Sequence, residues 1–136
     1  MCIRDRLWSS GYTQDKDLVR QVKALNAARK GAIGANANFL KTAATFPVAT
    51  TNALAVAKPP LLALLTNVGT DAPAQASFRV EASATGYKAN EALVEVISCT
   101  RVAADGSGVV NVQSSGGAPM VNFLSFLFPS ETNEYC

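Results

Sequence analysis

Apolar positions follow two different periods along this chain. Across residues 18–30 they recur at helical spacing. Leu18, Val22 and Leu25 stand four and three residues apart with Arg20, Lys23 and Arg29 around them, one apolar stripe on a charged helix. Thr13 is placed to cap the N-terminus through its hydroxyl, and Asp15 and Asp17 fall in the first turn, where the helix dipole favours negative charge. Lys30 followed by Gly31 reads as the stop signal. A lone amphipathic helix needs a second surface for its stripe, either a sheet of this chain or a domain outside it.

Beyond Gly31 the helical period is lost. Candidate strands are 53–57, 61–66, 77–83, 93–98, 109–112 and 121–128. Pro59-Pro60, Asn67 with Gly69, Gly86, Asp105-Gly106 and Gly116-Gly117 punctuate them. Phe78, Val80 and Ala82 alternate with Arg79, Glu81 and Ser83, the period of a strand with one wet face. Short strands at regular intervals predict a mainly β fold, an antiparallel Greek-key-type β-sandwich, preceded by one amphipathic α-helix.

Composition narrows the function classes. The 49% apolar fraction includes 23 alanines, so large residues make only a modest core. A net charge of +2 from scattered lysines and arginines leaves no basic stripe, and no nucleic-acid partner is expected. The longest apolar run, Leu61 to Leu65, is far too short to span a bilayer, so no membrane anchor is expected either. Residues 1–6 carry two arginines and an aspartate without an apolar core or a cleavage site, so they are no secretory signal and are expected to be a non-native leader.

Carboxylate and thiol chemistry is sparse. A glycosidase needs two carboxyl groups roughly 5–10 Å apart across a groove. Glu91 and Glu95 share a strand face by parity, but four residues of strand span roughly 13 Å, too far for a retaining pair. Both are expected to be solvated strand-face charges. Asp15 and Asp17 are explained by the helix dipole and not by metal binding, and no run of oxygen ligands resembles a calcium loop. Three cysteines without any histidine give no zinc-ligand spacing, leaving a bridge or free thiols.

Several motifs taken together resemble a known family. Leu7-Trp8-Ser9-Ser10-Gly11-Tyr12, followed by the helix with Asn26-Ala27-Ala28-Arg29, is similar to the last helical unit of the catalytic barrel in fungal-type α-amylases. Leu65-Thr66-Asn67, Ala84-Thr85-Gly86-Tyr87, Glu95-Val96-Ile97-Ser98-Cys99-Thr100, Asp105-Gly106-Ser107-Gly108 and Gly116-Gly117-Ala118-Pro119 resemble, in order and spacing, their C-terminal β-sandwich. The resemblance implies that residues 7–31 are a remnant of a (β/α)8 barrel, 32–52 a connection and 53–136 the C-terminal sandwich domain.

What the resemblance implies about function is specific. The parent is expected to be a secreted glycoside hydrolase acting on internal α-1,4-glucosidic bonds of starch or glycogen, with its three catalytic carboxylates upstream of the Leu7-Trp8 motif. The fragment then has no catalytic residue, is inactive alone, and plays a structural role against the catalytic barrel of its own protein. Calcium is expected in the missing catalytic part, and no cofactor in this chain. The family pairs cysteines at the positions of Cys99 and Cys136, which implies a disulfide and fits secretion. A tyrosine and a tryptophan that hold glucan in the family fall where this chain has Lys41 to Pro47. Phe46 stands for the tryptophan and nothing for the tyrosine, so a weak glucan contact at Phe46 is what remains of a starch-type polysaccharide site. Trp8 and Tyr12 precede the helix and are expected to pack. The run Val121 to Phe128 is longer and more apolar than the family pattern, read as a core strand with a bulge or as a patch that docks on the barrel. The alternative reading is an independent carbohydrate-binding or adhesion sandwich, since architecture alone does not give function.

Overall fold

A computed structural model describes residues 11, 16–69, 75–114 and 116–124. Thr13, Asp15, Trp8, Tyr12, Cys2, Cys136 and residues 125–128 lie outside the described residues, and with them the expected cap, the aromatic pair and the end of the last predicted strand.

The chain opens with helix α1, Asp17–Ala35, and continues with β1 Thr45–Ala49, β2 Ala53–Lys58, β3 Leu61–Thr66 and β4 Ser77–Val80. A helical turn α2, Ala82–Thr85, is followed by β5 Ala92–Glu95, β6 Thr100–Ala103, β7 Val110–Gln113 and β8 Met120–Leu124. Six strands form one sheet in the order β1-β2-β3-β8-β5-β6, and β4 pairs with β7 in a second. All the pairings are antiparallel, and β8 inserts between β3 and β5, far from both in sequence.

The sandwich core lies between the two sheets. Phe78 and Val80 of β4 and Val110 of β7 meet Ala55, Ala57, Leu62, Leu64 and Leu93 of the large sheet, all essentially out of water. The expected alternation holds for Phe78 and Val80, but the strand stops there. Ala82 to Thr85 curl into one helical turn that ends at Gly86, whose φ of 72° is readily adopted only without a Cβ. The predicted strand 93–98 also ends early, at Glu95, for a reason given below.

A third layer is α1, packed on the opposite face of the large sheet. Its buried ridge is Ala24, Ala28 and Ala32, spaced by four, against Val94, Val96, Leu61, Val121 and the buried ring of Phe39. The apolar stripe named from sequence is not the buried one. Leu18 is 69% and Val22 48% exposed, and Leu25 is half-buried. Nor does Gly31 stop the helix, which runs four residues further. A glycine costs an interior helix position about 1 kcal/mol, and Ala32, fully buried against the sheet, supplies the contact that offsets it. Asn36 ends the helix: its N–H bonds the Ala32 carbonyl at 3.1 Å, and its Oδ1 accepts the Asn38 N–H at 2.9 Å, starting a turn.

The segment read as a connection therefore holds the end of α1 and a whole strand. β1 forms the edge of the large sheet. Its register slips between Thr45, opposite Ala57, and Val48, opposite Ala55, so Phe46 and Pro47 together stand against Val56 in a bulge.

Candidate functional site

Glu95 shows how a carboxylate is used here. It ends β5 and is 5% exposed, so the expectation of a solvated charge does not hold for it. Its Oε1 accepts the N–H groups of Ile97 at 3.1 Å and Val121 at 2.8 Å, and its Oε2 accepts that of Ser98 at 2.6 Å. Three backbone donors stand in for the lost water and for a counter-ion. By capturing Ile97 and Ser98 the side chain turns the chain out of the sheet, which is why β5 ends here. The turn delivers Cys99 at a left-handed φ of 60°, and Ser98 Oγ bonds Thr100 Oγ1 at 2.9 Å to close it.

Glu91 has a separate structural task. Half-buried before β5, it accepts the Lys88 N–H at 2.7 Å through Oε2, while its carbonyl takes the Ala104 N–H at 3.0 Å. The two glutamates are thus committed to backbone donors on different turns. Asp105 is exposed and accepts the N–H groups of Ser107 at 2.7 Å and Val109 at 3.0 Å. Those bonds hold its carboxyl below the usual carboxylate range. Asp17 opens α1 as expected and pairs with Arg20 on the surface.

Buried Tyr87 follows the Gly86 turn and donates its hydroxyl to the Pro60 carbonyl at 2.9 Å, with the Asn122 carbonyl 3.4 Å away. Burial, and then the charge of Glu91, push its pKa far above the ordinary phenol value. Asn122 itself is fully buried on β8, and its side-chain amide has no hydrogen-bond partner. Phe46 is 62% exposed on the bulged edge strand. A shallow groove of about 270 Å³ lies beside it in sequence, lined by Thr50, Asn52, Leu54, Leu65 and Asn67. Two of its lining side chains bond the backbone of the same turn: Thr66 Oγ1 donates to the Asn52 carbonyl at 2.7 Å and Asn67 Nδ2 to the Thr51 carbonyl at 3.0 Å.

Among the described residues no three His, Cys, Asp or Glu side chains gather to hold a metal ion, and no helix is long and apolar enough to cross a membrane. Among the described residues the two carboxylates that are buried or half-buried, Glu95 and Glu91, both serve the backbone. The described residues thus form a β-sandwich with a helix laid across one face of its large sheet.

Comparison with known proteins gives the family. Residues 48–130 match the family model for alpha-amylase, domain C, and the chain belongs to that family. It is 29% identical over 118 residues to an alpha-amylase of Saccharomycopsis fibuligera and 29% identical over 122 residues to alpha-amylase 1 of Schwanniomyces occidentalis, in each case covering 87% of this chain and 23% of the relative. The solved alpha-amylase of Malbranchea cinnamomea superposes with a TM-score of 0.82 at 29% identity, over 93% of this chain and 26% of that one. The chain thus spans about a quarter of the length of these relatives, and corresponds to the C-terminal accessory domain of a fungal alpha-amylase with one helix before it.

Proposed function

We propose that this chain is the structural C-terminal part of a secreted alpha-amylase that hydrolyses internal α-1,4-glucosidic bonds of starch or glycogen, and that alone it is catalytically inert. In this reading α1 is the last helix of the catalytic barrel, residues 53–136 are the sandwich, and calcium belongs to the catalytic portion. The observation that carries it is the double-sided character of α1. The alanine ridge holds the sheet, while Leu18 and Val22 stand exposed on the same helix, an apolar surface suited to the remainder of a barrel.

The same reading pairs Cys99 with Cys136. Its support is Cys99 itself, which is disulfide-bonded, and the Glu95 turn that presents it. The resulting loop would contribute roughly 3–4 kcal/mol on the chain-entropy model. Phe46, a single exposed ring, supports no more than a weak glucan contact.

Reducing-sugar release from soluble starch tests the proposal. Protein made in an amylase-free host should give none, and turnover above a buffer blank would overturn it. Peptide mapping of the oxidised chain should join Cys99 to Cys136, and a map joining Cys99 to Cys2 would refute the pairing.

A further inference from the structure

The run Met120-Val121-Asn122-Phe123-Leu124 sets one polar residue in the middle of β8. Its neighbours show which way it points. Met120 packs against the sandwich core and Val121 joins the cluster under α1, so Asn122 returns to the core side. The pairing agrees, because Asn122 stands opposite Leu62 of β3 and Glu95 of β5, and Leu62 is a core residue while Leu61 lies on the helix side. With none of its surface exposed, the side chain is enclosed between the two sheets of this chain.

Both ends of its amide, Nδ2 and Oδ1, are shut off from solvent and meet no hydrogen-bond partner among the described residues. A carboxamide carries two donors and two acceptor lone pairs, and burying them unpaired costs free energy that an apolar residue at the same position would not. Other polar groups stand on the same side of the strand. The buried Tyr87 hydroxyl gives its proton to the Pro60 carbonyl at 2.9 Å and lies 3.4 Å from the Asn122 carbonyl, which leaves the lone pairs of its own oxygen for a donor. Glu95, the cross-strand neighbour, receives one backbone N–H at Oε2, that of Ser98, and keeps acceptor capacity there.

We propose that the Asn122 side chain anchors an internal water site in the sandwich core, where water accepts from Nδ2, donates to Oδ1 and carries the network on to the hydroxyl oxygen of Tyr87. The amide selects the ligand: Nδ2 needs an acceptor and Oδ1 a donor, and water is both in a molecule small enough for a close-packed interior. The site also bears on strand order. β8 pairs with two strands remote from it in sequence, and a slip of one residue would carry Asn122 from this polar corner into the apolar cluster beneath α1. Since only the chain's own two sheets enclose it, the site stands independently of the amylase-domain reading.

Two measurements on the native 136-residue chain test the proposal, with water itself as the probe. In an isotope-labelled sample, the side-chain amide protons of Asn122 should give NOE and ROE cross-peaks to water with opposite signs, the mark of a bound molecule, whereas proton exchange gives the same sign in both. A crystal structure that resolves ordered water should place a water oxygen within about 3.2 Å of Nδ2 or Oδ1. Finding Nδ2 bonded directly to the Glu95 carboxylate or the Tyr87 oxygen, with no water at either end of the amide, would overturn the site. Asn122→Leu should keep the β3-β8-β5 order and lose this water, and water persisting there would show that other groups hold it and overturn the anchoring role. The native-chain measurements decide the matter even where that variant fails to fold.

Discussion

Glu95 Oε1 accepts the Val121 N–H at 2.8 Å, so a side chain of β5 joins β8 across a strand pair whose backbones are already bonded. With Ile97 and Ser98 also held, the carboxylate fixes both the partner strand and the turn that follows. Replacing it with alanine leaves three part-buried amides without their acceptor. Glu95→Ala should cost roughly 2–4 kcal/mol and Glu95→Gln less, since its one carbonyl oxygen still accepts. Urea denaturation of the oxidised chain measures both, and a loss below 1 kcal/mol for the alanine variant, on the order of a single ordinary hydrogen bond, would contradict the assignment.

The alanine ridge of α1 sets how closely helix and sheet approach. Ala28 is 1% exposed, and a leucine there would force the layers apart. Ala28→Leu should destabilise by roughly 1–3 kcal/mol. Hydrogen exchange should locate the damage: amides of Asp17–Ala35 lose protection while those of Ala92–Glu95 keep theirs. Unchanged exchange in α1 would show that the ridge does not hold the helix.

Tyr87 ties the turn after α2 to the β2–β3 connection through Pro60. Tyr87→Phe should cost about 1 kcal/mol, the net worth of one hydrogen bond, with the ring packing retained. The alkaline limb follows from the raised pKa. The unfolded phenol ionises near 10 while the folded one stays protonated, so stability is complete below about pH 10 and falls as pH rises above it. Thermal melts between pH 9 and 11, bracketing that ordinary value of about 10, should show the decline in the native chain and a flatter profile in Tyr87→Phe.

Asp105 behaves in the opposite sense. Its folded pKa is depressed by the Ser107 and Val109 amides, so its contribution is present above the ordinary aspartate value of about 3.9 and is lost as pH falls through the folded value. Asp105→Ala should remove that part of the acid sensitivity. Melting curves from pH 6 to pH 2, spanning the ordinary carboxylate range of about 4, are the check, and a parallel fall in both proteins would rule the role out.

Much of this architecture is legible in the residues, and the failures have causes. β3 was read at its observed bounds and β2 to within one residue, because unbroken apolar runs between prolines, threonines and asparagines are hard to misplace. β1 escapes pattern reading because Pro47 and the bulge at Phe46 destroy its alternation. β6 escapes because Thr100-Arg101-Val102-Ala103 is a short, mostly exposed edge with little apolar signal. The helix misleads through size: a search for large apolar side chains finds Leu18 and Val22 and overlooks Ala24, Ala28 and Ala32, whose value lies in close approach. Glu95 carried a readable signal, a charge inside the run Val94-Glu95-Val96-Ile97, where burial forces a carboxylate to find donors. Which donors it finds depends on β8, more than twenty residues away, and local sequence does not contain that.

The bulge at Phe46 and Pro47 has a consequence for how this protein fails. A regular outer strand offers a row of free N–H and C=O groups on which another chain can grow. In β1 the register slips and Pro47 brings no N–H, so templated cross-β growth is interrupted at that margin of the large sheet. Its apolar surfaces are on the faces instead. Molecules that lose their proper neighbour are therefore expected to clump reversibly, face against face, and to redissolve on dilution, whereas growth of ordered fibres from the β1 margin is blocked by its geometry.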